Sequence, residues 1–376
     1  MPFSYAILLY VSILFLGCSS SKETVTPKLP EVSINNVTKI EGTENTQFDF
    51  TITLNGAQNK PVQVNYRTAD GTAFGGLDYK ISTGEITFNP SETEKTISIE
   101  VIGDNIKEGN EFFRVILFNP VNAELKQSFG RGIISNDDEQ VPMPEAGYQT
   151  PNSYPTMNLV WADEFNGDAL NLQDWTYEVG RGSNGWGNNE LQYYTAGENA
   201  KIADGFLTLE ARKDAQHNYT STRMKTQDKR TFTYGRVDIR AKTPKGQGIW
   251  PALWMLGNNI PTANWPACGE IDIMEIVGHE PQKTHGTAHW GSDFSQHKFK
   301  GNSYALQKED FSDRFHVFSI YWELNAIYWY VDDVLFYTLT SNDMEGQPYP
   351  FNAPFFFLFN IAVGGNWPKN PIVPPF

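Results

Sequence analysis

Three carboxylates lie within one apolar stretch of this 376-residue chain, GEIDIMEIVG at residues 269–278. They are Glu270, Asp272 and Glu275, and the residues between them are hydrophobic. Side chains of a β-strand alternate between two faces, so Glu270 and Asp272 share a face and Glu275 points the other way. A β-bulge after Asp272 adds one residue and returns Glu275 to that face, and bulges are common beside active sites. The pattern therefore predicts three carboxylates on one surface, with Ile271 packed in the core.

Carboxylates this close repel each other, which pushes their pKa values apart. One group then stays ionised while another holds a proton near neutral pH. Retaining hydrolysis of a glycosidic bond needs such a pair, because one carboxylate attacks the anomeric carbon while the other protonates the leaving oxygen. Asp272, between the other two, can hydrogen-bond to the nucleophile. A metal cluster is the alternative, and a solvated face fits poorly because the flanking residues are apolar.

Tryptophans surround the acidic stretch. GQGIWPALWML (246–256) and NWPACGEIDIME (264–275) place Trp250, Trp254 and Trp265 close to it in sequence. Indole rings stack on the apolar faces of sugars, and the indole N–H can bond hydroxyl groups. Trp250 and Trp265 adjoin proline, glycine or polar neighbours, which favours the surface. Trp254, within ALWML, fits a core position equally well.

Composition predicts two domains and no nucleic-acid partner. The formal net charge is −15, whereas phosphate binding needs clustered Lys and Arg. All ten tryptophans lie between Trp161 and Trp367, so the two halves of the chain are expected to be different domains. The two cysteines, Cys18 and Cys268, exclude a disulfide framework, and Cys268 is expected to be a small buried hydrophobic residue.

An apolar run of signal-peptide length, YAILLYVSILFLG, precedes Cys18 and a group of serines. It resembles a bacterial lipoprotein signal, in which residues 1–17 are removed and Cys18 is lipidated, although no Lys or Arg precedes the apolar run. The resemblance implies an exported lipoprotein of the outer membrane or cell surface, attached to the membrane at Cys18. A plain signal peptide or an N-terminal anchor stays open, and both also export the chain.

The elements that must position these residues are β-strands, so the predicted fold class is all-β. After a polar tether at 18–30, short alternating or apolar segments in 31–138 predict a β-sandwich. Those segments are FDFTITL (48–54), VQVNYRT (62–68), GEITF (84–88), KTISIEVI (95–102) and FFRVILF (112–118). Residues 139–156 are acidic and Pro-rich and are interpreted as a linker. Residues 157–376 are again almost entirely strand-like and imply a larger sandwich or barrel. The clearest segments there are RVDIRAKT (236–243), EIDIMEI (270–276), VFSIYWEL (317–324), IYWYVDDVLFYTL (327–339) and FFFLFNIAV (355–363). DDV (332–334), inside one of these segments, is interpreted as a hairpin turn.

Acidic residues gather at strand ends of the first domain, and carboxylates from separate loops often bind calcium. Solvated turns are the plainer interpretation, because Asp and Asn favour turns. TADGTAFGGLDY (68–79), GEITFNPSETEKTISIEVIGDNIKEGNEFF (84–113) and ISNDD (134–138) together resemble a Calx-beta domain over residues 31–138.

The Calx-beta resemblance implies an immunoglobulin-like sandwich with calcium at one end. It maps the ligands to Glu41, Asp78, Asp104, Glu108, Asp137 and Asp138. The family's calcium-regulated members carry a denser acidic run where this chain has Ile102-Gly103-Asp104-Asn105. That difference implies fewer ions or weaker binding, and a structural role rather than sensing.

The second half carries a series of motifs in order. They are LVWADEFNG (159–167), NGWGNNELQYYT (184–195), ADGFLTLEAR (203–212), TYGRVDIRAKTPKGQGIWPALWMLG (233–257), GEIDIMEIVGH (269–279), HGTAHW (285–290) and FNIAVGGNWP (359–368). Together they resemble glycoside hydrolase family 16 over 157–376, and most of all its bacterial laminarinases, which are endo-β-1,3-glucanases. The resemblance implies a β-jelly-roll with an open cleft on its concave face. It maps Glu270 as nucleophile, Asp272 as its helper and Glu275 as general acid/base.

The same resemblance implies a polysaccharide substrate, a monomer, and no cofactor for catalysis. The positions that match cleft residues are Asn189, Arg223, Trp250, Trp254, Trp265 and His289. A turn Asn and a surface Arg are the plainer interpretations of Asn189 and Arg223. His289 matches a histidine near the catalytic subsite, although by itself it suggests a packed side chain. His217, His285 and His297 carry no assignment.

One strand of the family pattern is not found. Family members continue past GGNWP into a further strand, for which residues 369–376 offer no counterpart. That strand lies in the outer sheet and supplies an aspartate to a calcium site, whose other contributors lie around Glu164 and Gly205 here. We therefore expect calcium in the Calx-beta domain, whereas a calcium site in the catalytic domain stays open. The plainest explanation is a truncated sequence record. If the protein itself lacks the strand, we expect a lower stability with the cleft residues still present.

Two alternatives to β-1,3-glucan hydrolysis stay open from the sequence. E-x-D-x-x-E also occurs in enzymes that act on mixed-linkage β-glucan, agar or carrageenan, although NNELQYYT and WPACGEIDIME favour β-1,3-glucan. A non-catalytic surface glycan-binding protein belongs to a different class. A protein that only binds has no use for three charges crowded on one strand, which argues against that class.

Overall fold

A computed structural model describes residues 29–56, 59–103, 110–137, 147–213 and 218–370. Four predicted positions lie outside these ranges: Cys18, Asp104, Glu108 and Asp138. The helices among the described residues are short, namely the π turn Gly185–Asn189, α1 (Ile260–Ala263) and the 3-10 turns Phe294–Gln296, Ser341–Asp343 and Pro350–Asn352. Within the described ranges, no helix is long and apolar enough to cross a membrane.

The N-terminal domain is a sandwich of two β-sheets. Its strands are β1 (Glu31–Ile34), β2 (Val37–Ile40), β3 (Thr46–Asn55), β4 (Val62–Asp70), β5 (Thr83–Phe88), β6 (Glu94–Val101), β7 (Glu111–Val121), β8 (Glu124–Leu125) and β9 (Phe129–Ser135). One sheet has the order β6-β3-β1-β8 and the other β2-β9-β7-β4-β5. Alternate side chains of β3, from Phe48 to Leu54, are buried between the sheets, because one face of the strand meets the core.

The C-terminal domain contains two larger sheets and two small ones. Its strands are β10 (Thr176–Tyr177), β11 (Gln192–Tyr194), β12 (Ala200–Ala203), β13 (Phe206–Leu209), β14 (Arg212–Lys213), β15 (Tyr219–Ser221), β16 (Arg223–Lys225), β17 (Gly235–Ala241), β18 (Ile249–Gly257), β19 (Glu270–Glu275), β20 (Lys283–Trp290), β21 (Lys298–Ala305), β22 (His316–Glu323), β23 (Ala326–Val331), β24 (Val334–Thr340) and β25 (Phe355–Val363). The main sheet has the order β10-β16-β25-β18-β19-β20-β21, and the second sheet has the order β17-β22-β23-β24. Both contribute to one aromatic-rich core. The all-β prediction is confirmed.

The carboxylate strand lies inside the main sheet, between β18 and β20. Every residue of β25 is buried, as expected for a strand in the middle of a sheet. Strands β18, β20 and β21 were not predicted as separate strand segments. Pro251 lies within β18, and β20 alternates buried residues with half-exposed ones that include His285 and His289.

The β23–β24 hairpin shows how local chemistry sets a turn. Asp332 and Asp333 both have positive φ, at 50° and 62°. A two-residue hairpin loop with two positive φ angles is the type I′ turn, and Asp is among the residues that tolerate it. The turn predicted at DDV (332–334) is therefore present.

Candidate active site

A β-bulge brings the three carboxylates to one face of β19. Asp272 pairs with Thr287 of β20, and Glu275 pairs with His285, so three steps along β19 match two along β20. The register of β19 against β18 shifts at the same place. An extra residue restores the phase of the side chains that follow it. Glu270, Asp272 and Glu275 therefore point to the same side, as the sequence predicted.

The core holds the bulge from the opposite side. Ile271, Ile273 and Met274 are all buried in the main core. Trp329 of β23 donates its indole N–H to the carbonyl oxygen of Asp272 at 2.8 Å. A buried carbonyl needs a donor, and this bond supplies one at the bulge.

Each outer carboxylate accepts a hydrogen bond from an indole. Trp265 Nε1 donates to Glu270 Oε2 at 3.0 Å, and Trp250 Nε1 donates to Glu275 Oε1 at 3.1 Å. Both rings are half-buried. These indoles thus lie at the two ends of the carboxylate row, which is where sugar rings on either side of a cleaved bond would stack.

Asp272 is 3% exposed and lies next to a histidine. His289 Nε2 of β20 is 3.2 Å from Asp272 Oδ2 and 3.8 Å from Glu270 Oε1. This follows from the register, in which Glu270 pairs directly with His289. These three side chains, Glu270, Asp272 and His289, are close enough together to hold a metal ion, as the metal-cluster alternative requires.

Burial raises the pKa of all three carboxyl groups, because a charge in this strand is poorly solvated. The pKa of Glu270 rises to about 7 by desolvation and then by repulsion from Asp272. Desolvation raises the pKa of Asp272 to about 8. The pKa of Glu275 rises well above its usual range, by desolvation and then by repulsion from the other two. Glu270 is therefore expected to ionise before Glu275 as the pH rises.

A second histidine, which the sequence left unassigned, contacts His289. His297 Nε2 lies 2.9 Å from His289 Nδ1, and the two rings stack with centroids 5.1 Å apart. The ring of Trp265 lies 4.5 Å from His297. The sequence contained a signal for this contact, since one histidine lies just before and the other just after the segment Gly291–Gln296 that follows β20. The pairing itself depends on how that turn folds back.

The Glu275 end of the row is extended by Trp367, another residue without a predicted role. Its ring meets Trp250 edge-on at 5.4 Å and His285 at 5.0 Å. Trp367 is 37% exposed, so part of the ring stays open to solvent. The aromatic surface thus continues past Glu275, as in a cleft that binds several sugar units.

Residues 187–372 match the family model Glycosyl hydrolases family 16, and residues 31–135 match the Calx-beta domain model. The β-glucanase of Rhodothermus marinus is 41% identical over 233 residues, which cover 59% of this chain and 80% of that protein. The chain belongs to glycoside hydrolase family 16. Its N-terminal domain is a Calx-beta domain, and the carboxylate strand lies in the family 16 domain.

Solved structures share the fold of the family 16 domain. The endo-β-1,3-glucanase from Pyrococcus furiosus is 44% identical with a TM-score of 0.54, and the match covers 58% of this chain and 89% of that one. The laminarinase catalytic domain from Thermotoga maritima MSB8 is also 44% identical, with a TM-score of 0.53 and coverage of 57% and 90%. The glucan endo-1,3-β-glucosidase A1 of Niallia circulans is 36% identical over 282 residues, but the chain spans only 41% of its length.

The family 16 fold brings Arg223 and Trp254 to the carboxylates. The Arg223 guanidinium lies 4.9 Å from the ring of Trp254 and 4.5 Å from the ring of Trp186. It forms an ion pair with Glu178, and its charge helps to lower the pKa of Glu270. Arg223 is therefore a fixed charge beside the row rather than a free surface side chain.

Two other predicted residues are accounted for by local contacts. Asn189 ends the π turn Gly185–Asn189, and its exposed side-chain amide donates to Asn366 Oδ1 at 2.9 Å. The structure therefore places it beside the residues that follow β25, with no described contact to the carboxylates. Cys268 is fully buried, and burial raises the pKa of its thiol to about 12. It is the inert hydrophobic residue that the sequence predicted.

The predicted calcium ligands Glu41, Asp78 and Asp137 fall within the described residues. Glu41 is buried, whereas Asp137 is exposed. Asp78 accepts the backbone N–H of Phe74 at 2.5 Å and shares a hydrogen bond with Glu111, which had no predicted role. Burial raises the pKa of Asp78 to about 6. Among these residues, Asp78 and Glu111 are the pair in contact, and the described residues do not bring Glu41, Asp78 and Asp137 together as one metal-binding group. The oxygen atoms of Asp78 and Glu111 are of the kind that calcium takes as ligands.

Proposed function

We propose that this chain is an endo-acting, retaining glycoside hydrolase of β-1,3-glucan. The observation that carries the proposal is the bulged strand, which aligns Glu270, Asp272 and Glu275 between two indoles. The outer carboxyl groups have raised pKa values, and one of them ionises before the other. A nucleophile and an acid that coexist near neutral pH are what double displacement requires.

The two carboxyl groups take complementary parts in each step. Ionised Glu270 attacks the anomeric carbon while Glu275 gives its proton to the leaving oxygen, so the glycosidic bond breaks as a glycosyl ester forms. Glu275, now ionised, takes a proton from the water that displaces Glu270. Asp272, whose pKa is raised by burial, lies between the two and can hydrogen-bond to the nucleophile. The anomeric configuration is retained after two inversions.

The β-1,3-glucan assignment rests on the relatives. The Niallia circulans and Cryptopygus antarcticus relatives, 36% and 40% identical, are both called glucan endo-1,3-β-glucosidases. Trp250, Trp254, Trp265 and Trp367 supply the aromatic surface that a neutral glucan would use, and the acidic chain suits an uncharged substrate. Asn189, Arg223 and His289 are proposed to bind sugar hydroxyls.

Product analysis tests the assignment. The protein would be incubated with laminarin, mixed-linkage β-glucan and agarose, and the anomeric form of the first products followed by NMR. We expect short β-1,3 oligosaccharides of retained configuration from laminarin. Glu270→Gln should abolish them, whereas Glu309→Gln, the same change at an exposed carboxylate, should not. Cleavage of another glycan alone would leave the mechanism standing and reject the substrate.

A binding role is the second candidate. The β-1,3-glucan-binding protein of Penaeus monodon is 37% identical over 171 residues. The complete carboxylate row of this chain favours catalysis, because aromatic surfaces alone would serve binding. Binding of laminarin without any product, in a protein shown to be folded, would support the binding role instead.

Export and metal binding complete the proposal. We propose that residues 1–17 are a signal peptide and that Cys18 carries a lipid, so that the enzyme works as a monomer on the cell surface. Labelling of cells with an alkyne fatty acid should mark the protein but not a Cys18→Ala variant.

We also propose calcium in the Calx-beta domain, held by Glu41, Asp78, Asp104, Glu108, Asp137 and Asp138.

A further inference from the structure

The N-terminal domain contacts the outer sheet of the catalytic domain, which is the β17-β22-β23-β24 sheet. The inward side chains of this sheet, such as Trp329, belong to the main core. Tyr328 and Tyr330 of β23 instead form a separate apolar cluster, against which Tyr321 and Phe112 of the N-terminal domain pack. Large aromatic side chains gathered on an outer face are unusual unless another surface covers them.

Arg236 of β17 lies at the centre of the contact. Its side chain is only 5% exposed and forms ion pairs with Asp238 and Asp333. Phe74 of the N-terminal domain lies 5.3 Å from the guanidinium, and Tyr154 of the connecting segment lies 4.9 Å from it. An arginine on an outer sheet is normally solvated, and here two rings from outside the catalytic domain bury it.

Phe74 belongs to the interface rather than to its own domain. It is 3% exposed, yet it is not among the described residues that form the N-terminal core. Its ring meets Tyr154 at 5.3 Å and Tyr321 of the catalytic domain edge-on at 5.7 Å. The loop that follows β4 therefore presents a large apolar side chain whose burial depends on the other domain.

A charged pair crosses the same interface. Arg114 Nη2 of β7 donates to Glu323 Oε1 of β22 at 2.8 Å, and the two side chains are 19% and 24% exposed. Tyr328 donates to the same oxygen at 3.0 Å, and Arg114 Nη1 donates to the carbonyl of Asp70 at 2.8 Å. Half-buried pairs with this many hydrogen bonds are stronger than solvated surface pairs.

The described part of the connecting segment is bonded to both domains. Tyr148 donates to Asp333 at 2.6 Å, and Tyr154 donates to Asp238 at 2.7 Å. Thr156 donates to Asp70 of the N-terminal domain. Residues 147–156 were interpreted as linker from their composition, but this part of the linker is a component of the interface.

We propose that the Calx-beta domain is a fixed part of the enzyme, docked on the outer sheet around Arg236, and that the two domains unfold as one unit. The carboxylate row lies on the other sheet, so the docked domain leaves the cleft open. Removing the N-terminal domain would expose Tyr328 and Tyr330 and solvate Arg236, and both changes lower the stability of the catalytic domain. The domain is then a structural support, not a spacer.

Calorimetry of the full chain tests the docking. We expect the unaltered protein to unfold in one transition. Phe74→Ala removes an interface side chain without touching the N-terminal core, so it should split the transition and lower the catalytic-domain component by about 4 °C or more. Phe129→Ala is the matched control, because Phe129 is a 43% exposed phenylalanine of the same domain. It should leave the single transition intact.

The charged pair provides a second test that does not depend on Phe74. Arg114→Glu and Glu323→Arg should each lower the melting temperature, and the double variant with exchanged charges should recover most of the loss. Two independent transitions in the unaltered protein would overturn the proposal. It would also be overturned if Phe74→Ala behaved like Phe129→Ala and the exchanged pair showed no recovery.

Discussion

The three carboxyl groups of β19 share one chemistry and differ in their neighbours. Glu270 accepts an indole N–H and lies near His289 and Arg223, all of which favour its charged form. Glu275 has the indole of Trp250, but it faces two other carboxyl groups. The neighbours therefore decide which of Glu270 and Glu275 ionises first, and the proposed mechanism assigns the nucleophile to that group.

The pH profile of kcat/KM should report this order. Activity requires ionised Glu270, so it should rise with pH up to about 7, and it should fall again when Glu275 loses its proton at higher pH. Trp265→Phe removes the N–H donor to Glu270 and raises its pKa further, so the acidic limb should move to higher pH. Trp254→Phe is the control, because its indole N–H bonds Asn360 instead. An acidic limb that stays in place in Trp265→Phe would contradict the assignment.

Stability should change with pH for the same reason. The pKa of Glu270 is raised on folding, so its contribution to stability is fully present below about 4.5 and is lost as the pH rises through about 7. Glu270→Gln resembles the protonated form and avoids that loss. We expect the variant to be about 2–3 kcal/mol more stable than the unaltered protein at pH 8 and equal to it at pH 4. Urea unfolding at the two pH values measures the difference, and an equal difference at both would refute this origin.

The bulge is the feature of β19 that turns an ordinary strand into a site. Between Asp272 and Glu275 the bulge reverses which face of the strand the following side chains occupy. The pairing register shifts there against both neighbours, β18 and β20. Trp329 anchors the bulge from the core through the carbonyl of Asp272. We therefore expect the geometry of the site to depend on Trp329, which is buried in the core behind the carboxylates.

Trp329→Phe should affect both stability and catalysis. It leaves the buried carbonyl of Asp272 without its donor, which costs about 1–3 kcal/mol, and the bulge can then relax. Trp322→Phe is a close control, because Trp322 is equally buried and donates to the carbonyl of Phe351 at 2.8 Å, away from β19. We expect similar losses in urea unfolding but a fall in kcat of about tenfold or more for Trp329→Phe alone. Equal kcat values in the two variants would show that the bulge does not need this bond.

In the whole molecule, the carboxylate row lies on one sheet of the catalytic domain and the N-terminal domain packs on the other. The proposed calcium-binding end of the Calx-beta domain, with Asp78 and Glu111, lies on the side that meets the catalytic domain, since the charges of Asp333 and Arg236 act on Asp78. An ion at that end would therefore strengthen the part of the domain that meets the catalytic domain.

Calcium should raise the melting temperature of the full chain, and a chelator should lower it. At a hundredfold excess over the dissociation constant the gain is about 2.7 kcal/mol. Asp78→Asn should abolish the calcium-dependent shift. Asp49→Asn, at an exposed carboxylate of β3, should retain it. If Asp78→Asn responded to calcium as the unaltered protein does, the proposed site would be wrong.

Local pattern was enough to predict the all-β class, most long strands, the turn at Asp332 and the bulge after Asp272. Each of these features depends on how apolar and polar residues alternate along the chain, or on residues that are neighbours in sequence. The pairing of His297 with His289, the Trp329 anchor and the burial of Arg236 by Phe74 were not predictable. Those contacts join residues far apart in sequence or across a turn, and only the packing of two sheets and two domains brings them together. The sequence by itself therefore determined the chemistry of this protein, whereas the tertiary structure decided which side chains tune it and what the N-terminal domain supports.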